Sequence, residues 1–174
     1  MKKLNLLYVF FLTAAVFSCK KDNDNNQPQQ KSLADVIVGG WELTKMDVSA
    51  TAMFLGQQVN VVGVGSQFTG VATFKDNPKE ISSTAGARVA VSIELGGTSI
   101  PFDTLEFENV FDLYKYAVLS NQQVRLIGPE NDTILMNVKS FTENTIDMEF
   151  LQNIEDDDTG QNVATTFKIS VRKK

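Results

Sequence analysis

The sequence predicts an all-β domain of about eight to ten antiparallel strands, at the short spacing of an up-and-down (meander) barrel or a sandwich, and three observations carry that reading. Beyond Gly39 the apolar residues recur with a period of two rather than 3.6. The alternating segments are short, and turn-forming residues separate them. No ten-residue helical pattern stands out; residues 33–38 read as a single helical turn that plugs or caps one end.

The expected strands cover residues 41–48, 67–75, 79–85, 88–95, 105–111, 114–120, 123–127, 133–141, 145–150 and 162–172. The last is the cleanest: Val163, Thr165, Phe167, Ile169 and Val171 share one face, while Ala164, Thr166, Lys168, Ser170 and Arg172 share the other. One face is core and the other water. Val89, Val91, Ile93 and Leu95 repeat the pattern, and Gly96-Gly97 then supplies the positive φ angles of a tight hairpin. Ile146, Met148 and Phe150 alternate with Thr145, Asp147 and Glu149. Asp76-Asn77-Pro78, Asn121-Gln122, Gly128-Pro129 and Glu143-Asn144 fall between segments, where their backbone preferences favour turns. The inferred inward set is Phe74, Val91, Phe107, Phe111, Tyr116, Leu126, Met136, Met148, Phe150 and Phe167, with no charged member.

Ahead of this domain the chain changes character. Met1 to Lys3 supply a positive start, residues 4–16 are mostly apolar, and Phe17, Ser18 and Cys19 close the run before an abrupt polar stretch. That three-part order is an export signal, too short for a comfortable membrane span. The expected organisation is a signal over residues 1–18, a disordered tether over 19–32 and the β domain over 33–174. Residues 20–30, KKDNDNNQPQQ, hold nothing aliphatic or aromatic to bury, and fully extended they reach about 35 Å.

Composition narrows the chemistry. The 174 residues suffice for one domain with a proper core once signal and tether are set aside. Lys2 and Lys3 leave with the signal, so 14 of 16 basic residues remain against 21 acidic, a balance of −7. An acidic chain is poorly matched to nucleic acid. The sequence has no histidine, which removes Ser-His-Asp, Cys-His and His-ligated zinc chemistry. Its one cysteine is Cys19, so the domain holds neither a free thiol nor a disulfide and depends on apolar burial.

Ala15, Val16, Phe17, Ser18 and Cys19 resemble a lipobox of the looser kind found in Bacteroidetes lipoproteins. The resemblance implies that Cys19 becomes the lipidated first residue and holds the protein at a membrane, with an outer-membrane location in the cell envelope. Several acyl chains, palmitate among them, anchor stably where one does not, at about 0.8 kcal/mol per buried CH₂. Lys20, Lys21 and Asp22 resemble signals for the outer cell surface, while a plain spacer there leaves a periplasmic-facing protein.

Gly39-Gly40-Trp41, followed by Glu42, Leu43, Thr44 and Lys45, resembles the G-x-W opening of the lipocalins, and residues 37–46 resemble the lipocalin-like domains of Bacteroidetes lipoproteins. The resemblance spans residues 39–174 and implies a lipocalin/calycin-like β-barrel. It also implies that Trp41 closes the barrel floor beneath a basic side chain near the end of the last strand. Arg172 is the nearest positional match, although alternation sets it on the polar face; the T-D-Y-like signature of the family is not evident.

An eight-stranded barrel is either filled by its own side chains or holds one small ligand. Phe54, Phe74, Phe107, Tyr116, Met148 and Phe150 are the expected ligand-binding residues, and an interior ligand is then apolar or aromatic, fixed by a tyrosine hydroxyl or a backbone group. Residues 52–65 (AMFLGQQVNVVGVG) read either as a lid or partner-contact patch, or as one more hairpin broken by Gly56 and Gly63. Glu155 to Gly160 space oxygen donors as some calcium loops do but lack the rest of an EF-hand, and a solvated turn explains them. The pairs Glu106/Glu108 and Asp147/Glu149 sit on outward faces without the setting a general acid requires. The expectation is a non-enzymatic, lipid-anchored protein with no catalytic residue, metal or cofactor. It binds a small apolar ligand or, alternatively, a protein partner through its loop rim.

Overall fold

The computed structural model describes residues 31–54, 56–155 and 162–174. The expected signal, Cys19 and most of the tether, like the acidic turn over 156–160, lie outside the described residues. Lys31–Lys174 form one compact unit. Among the described residues one short helix, α1 (Leu33–Ile37), precedes eleven strands. They are β1 (Gly39–Phe54), β2 (Gln57–Thr69), β3 (Ala72–Phe74), β4 (Ile81–Ser83), β5 (Gly86–Leu95), β6 (Thr98–Phe107), β7 (Lys115–Ser120), β8 (Gln123–Ile127), β9 (Thr133–Phe141), β10 (Thr145–Glu155) and β11 (Asn162–Lys173).

The all-β, antiparallel, up-and-down reading holds, with one strand more than the upper expectation. The extra strand comes from Gly70, which takes φ +66° and sits against the Thr84 carbonyl, splitting the expected strand 67–75 into the end of β2 and a separate β3. The segment expected at 105–111 is also corrected. β6 begins earlier, at Thr98, and stops at Phe107, because Asn109, Phe111 and Leu113 all take positive φ in a compact turn. Residues 52–65 are the hairpin rather than a lid: β1 and β2 pair from Asp47↔Val64 to Phe54↔Gln57, and Gly63 lies within the ladder.

Strand pairing runs β6–β5–β2–β1–β11–β10–β9–β8–β7, and hydrogen-bonded ladders do not close the path on itself. β1 is long enough, at 16 residues, to serve two sets of partners. Its first residues, Gly39 to Trp41, pair with β3, which pairs in turn with β4. Its second half pairs with β2, which carries β5 and β6 outward as a wing. A single bridge between Glu80 and Lys115 links the β4 side to the start of β7. The amide of Ile81 donates to the Tyr114 carbonyl (2.8 Å) and that of Tyr116 to the Lys79 carbonyl (3.1 Å) beside it.

Period-two patterning places the core. Directly opposed residues share a face, and Ile146↔Val171, Met148↔Ile169 and Phe150↔Phe167 align three buried pairs along β10 and β11. All ten residues of the expected inward set join one cluster, seven buried and Val91, Phe107 and Phe111 partly buried against it. Among the described residues the only buried polar side chains are Ser83 and Thr165, so no ionised group lies in the interior. Gly63 and Gly65 let β2 cross close over this core: a Cβ on Gly65 would stand 2.5 Å from the Met46 carbonyl oxygen, and one on Gly63 2.7 Å from Val89.

Candidate functional site

At one pole α1 and the end of β11 meet around Trp41. Ser32 caps α1 through a capping box with Asp35, and Leu33, Val36 and Ile37 point into the core. Ser32's hydrogen bonds to Asp35 hold that carboxyl below its ordinary range, as suits an anion at a helix start. The Leu33 amide donates to Asn121 Oδ1 (2.9 Å), tying α1 to the β7–β8 turn. Trp41 is wholly buried and its indole Nε1 donates to the Ile37 carbonyl (2.7 Å).

The basic cover over Trp41 is Lys173, not Arg172. Lys173 Nζ stands 5.3 Å from the indole centroid and donates to the Val36 carbonyl (3.3 Å). Arg172 faces outward and meets Glu42 at 3.3 Å. Parity decides this: Phe167, Ile169 and Val171 point inward, so the next inward position on β11 is 173, and register sets Lys173 directly across from Trp41. Counting two residues on from Val171 would have found it in the sequence.

The residues expected to line an internal ligand site are instead occupied with one another. Phe150 stacks on Phe167 at 4.8 Å between centroids, and Phe107 meets Phe167 edge-on at 6.4 Å. Phe74 meets Tyr116 edge-on at 5.2 Å, and Met148 is buried beside Ile169 in the β10–β11 register. The Tyr116 hydroxyl, a natural anchor for a guest, donates to the Lys75 carbonyl (2.8 Å). Burial and then Asp76 raise that phenol above its ordinary value, so it remains a hydrogen-bond donor. The side chain of Phe54 lies outside the described residues.

Apolar surface faces solvent at the opposite pole. The inward face of the core continues onto the wing as a row, Ala50↔Val61↔Ile93↔Ile100, each residue directly opposite the next. Val59 and Ile93 are buried there, apart from the main cluster. Around them Leu95, Ile100, Leu105 and Ile154 are 42–48% exposed. No residue of this row was among the expected ligand-binding residues or the inferred inward set, although Ile93 was expected on the apolar face of its strand; the signal for the row lay in the length of the alternation through 52–65, which continues the inward face of β1 into β2.

The wing's other face bears an open groove of about 480 Å³, bordered by the short side chains of Ser49, Thr51, Asn60, Val62 and Thr166 and by Glu94. A smaller cleft of about 180 Å³ lies where Phe107 reaches the surface between Arg88 and Glu108. Neither joins the expected ligand residues other than Phe107. The outward carboxylates are engaged in ordinary surface contacts: Glu106 with Arg88 (3.2 Å) and Glu149 with Lys139 (3.1 Å). The hydroxyls of Ser140, first, and Ser170 hold Asp147 below its ordinary value, the reverse of what a general acid needs. No protein family, curated protein or solved structure matches the chain.

Proposed function

We propose that this chain is a non-enzymatic, membrane-anchored binding module of the lipocalin-like kind, held in the outer membrane by lipid on Cys19, with a small apolar ligand seated on the inward face of the wing. The barrel reading is supported by the Glu80–Lys115 bridge, which spans the gap between the β4 side and β7, and by the Trp41–Lys173 floor. The observation that carries the ligand is the half-exposed apolar rim of Leu95, Ile100, Leu105 and Ile154 around buried Val59 and Ile93. Apolar side chains with few polar groups among them are where small ligands gain most of their affinity.

The test is native mass spectrometry of the full chain isolated from its own cells, beside Ile100→Glu. A retained apolar molecule that the variant loses supports the reading. A wild-type chain that arrives empty, and whose isoleucine methyl resonances ignore added octanol, overturns it. A protein partner is the second reading, favoured by Met53, Phe102 and Leu151, each more than 60% exposed. It predicts a co-isolating protein that survives Ile100→Glu and is lost with Phe102→Ser.

A further inference from the structure

The register of β6 adds a charge to the apolar rim. Val91, which packs against the core, pairs with Asp103, and the bulge between Val91 and Ser92 leaves Asp103 on the inward side, between Ile100 and Leu105 along the strand. Every other inward position of the wing described above is apolar, a glycine or an uncharged polar residue: Val48, Ala50 and Ala52 on β1, Val59, Val61 and Gly63 on β2, and Thr165 and Gln152 on the flanking strands. Asp103 is exposed, its carboxylate accepts the Thr104 amide (2.7 Å), and among the described residues no lysine or arginine stands within ion-pair distance of it. The one cation on β2, β5 and β6, Arg88, lies on the outer face and is engaged by Glu106.

A lone carboxylate at the edge of an apolar surface discriminates among amphiphiles by charge. It attracts a cationic head whose tail lies on the neighbouring aliphatic side chains, and it repels an anionic one. The net acidity of the chain acts in the same direction at longer range. Resting on the apolar-ligand reading above, we infer that the wing selects a small cationic amphiphile, an alkyl chain bearing an amine, over a fatty-acid anion, and that Asp103 sets this preference.

The experiment titrates octylamine, octanol and octanoate into the full chain carried in phosphatidylcholine nanodiscs, following the methyl resonances of Ile93, Ile100 and Ile154. Site-resolved signals separate binding at the wing from partition into lipid. Octylamine is expected to bind about fivefold more tightly than octanol, the upper reach of an exposed ion pair, and octanoate more weakly than octanol. Asp103→Asn should abolish the preference and leave octanol binding unchanged, while Asp103→Glu should keep it. Equal affinities for all three compounds, or a preference that survives Asp103→Asn, overturn this inference and leave the apolar site standing. If octanol moves none of the three methyls, the apolar site fails and the inference fails with it.

Discussion

The two poles of the sheet are built from the same alternation and end differently. At the α1 pole the inward side chains are covered: Leu33, Val36 and Ile37 of α1 are buried, Trp41 is enclosed, and Lys173 covers the indole. At the wing inward residues such as Ile100 and Leu105 keep nearly half of their surface in water. A period of two states which face is apolar; it does not state whether anything lies on that face. The sheet's edges repeat the contrast. β7 is bridged by Glu80 and tied to α1 through Asn121, whereas β6 is the open end of the ladder and carries Pro101, a bulge and Asp103, devices that discourage unspecific edge pairing.

If the closed pole holds the fold and the wing does not, truncations at the two should differ most. Trp41→Ala removes a fully buried side chain and should cost about 3–5 kcal/mol, as large aromatic deletions in cores do. Ile100→Ala, on the half-exposed edge strand, should stay within about 0.5 kcal/mol of the parent. Urea unfolding followed by far-ultraviolet circular dichroism measures both, and comparable losses would break the distinction between the poles.

Glycines sharpen it further. Gly70 and Gly56 both take positive φ, at +66° and +78°, so an alanine at either carries a similar left-handed backbone strain of about 1–2 kcal/mol. Gly70 also lies against the Thr84 carbonyl, where a Cβ would overlap backbone atoms, while nothing stands within 4 Å of a Cβ at Gly56 on the wing's tip. Gly70→Ala should therefore cost about 3 kcal/mol or more, adding overpacking to strain, and Gly56→Ala about 1 kcal/mol. Equal shifts in the urea midpoint would show that the Gly70 loop relaxes freely.

Much of this was legible in the residues. Strand 133–141 has its observed bounds, the strands through 88–95 and 162–172 differ by a residue or two at their ends, and nine of the ten inward side chains follow from parity, while Phe111 reaches the core from the turn after β6. What parity cannot carry is long-range packing. The Gly70 break depends on Thr84, fourteen residues away, and the length of β1 depends on gaining β2 as a partner beyond β11. The candidate site moved for the same reason. Phe150 and Phe167 are inward as expected, but whether two inward rings leave room for a guest or stack on each other depends on strand curvature, which no local pattern encodes.

The smallest effect separates neighbours on one strand. Lys173 and Arg172 are adjacent cations in β11, and a count of charges treats them alike. Lys173 gives the Trp41 face a cation and the Val36 carbonyl a donor at the end of α1, both next to buried groups. Arg172 makes one exposed ion pair with Glu42, of the kind whose median contribution is small. Lys173→Gln should destabilise by about 1 kcal/mol and Arg172→Gln by less than about 0.5 kcal/mol. The Lys173 loss should also survive high salt, because an ammonium held over a buried ring is screened less than a surface pair, and it should come with faster exchange of the Trp41 indole proton. Were Arg172→Gln the more damaging, or were both losses to vanish in salt, the basic cover of Trp41 would have to be assigned to the outer face and the parity argument that places Lys173 inward would fail.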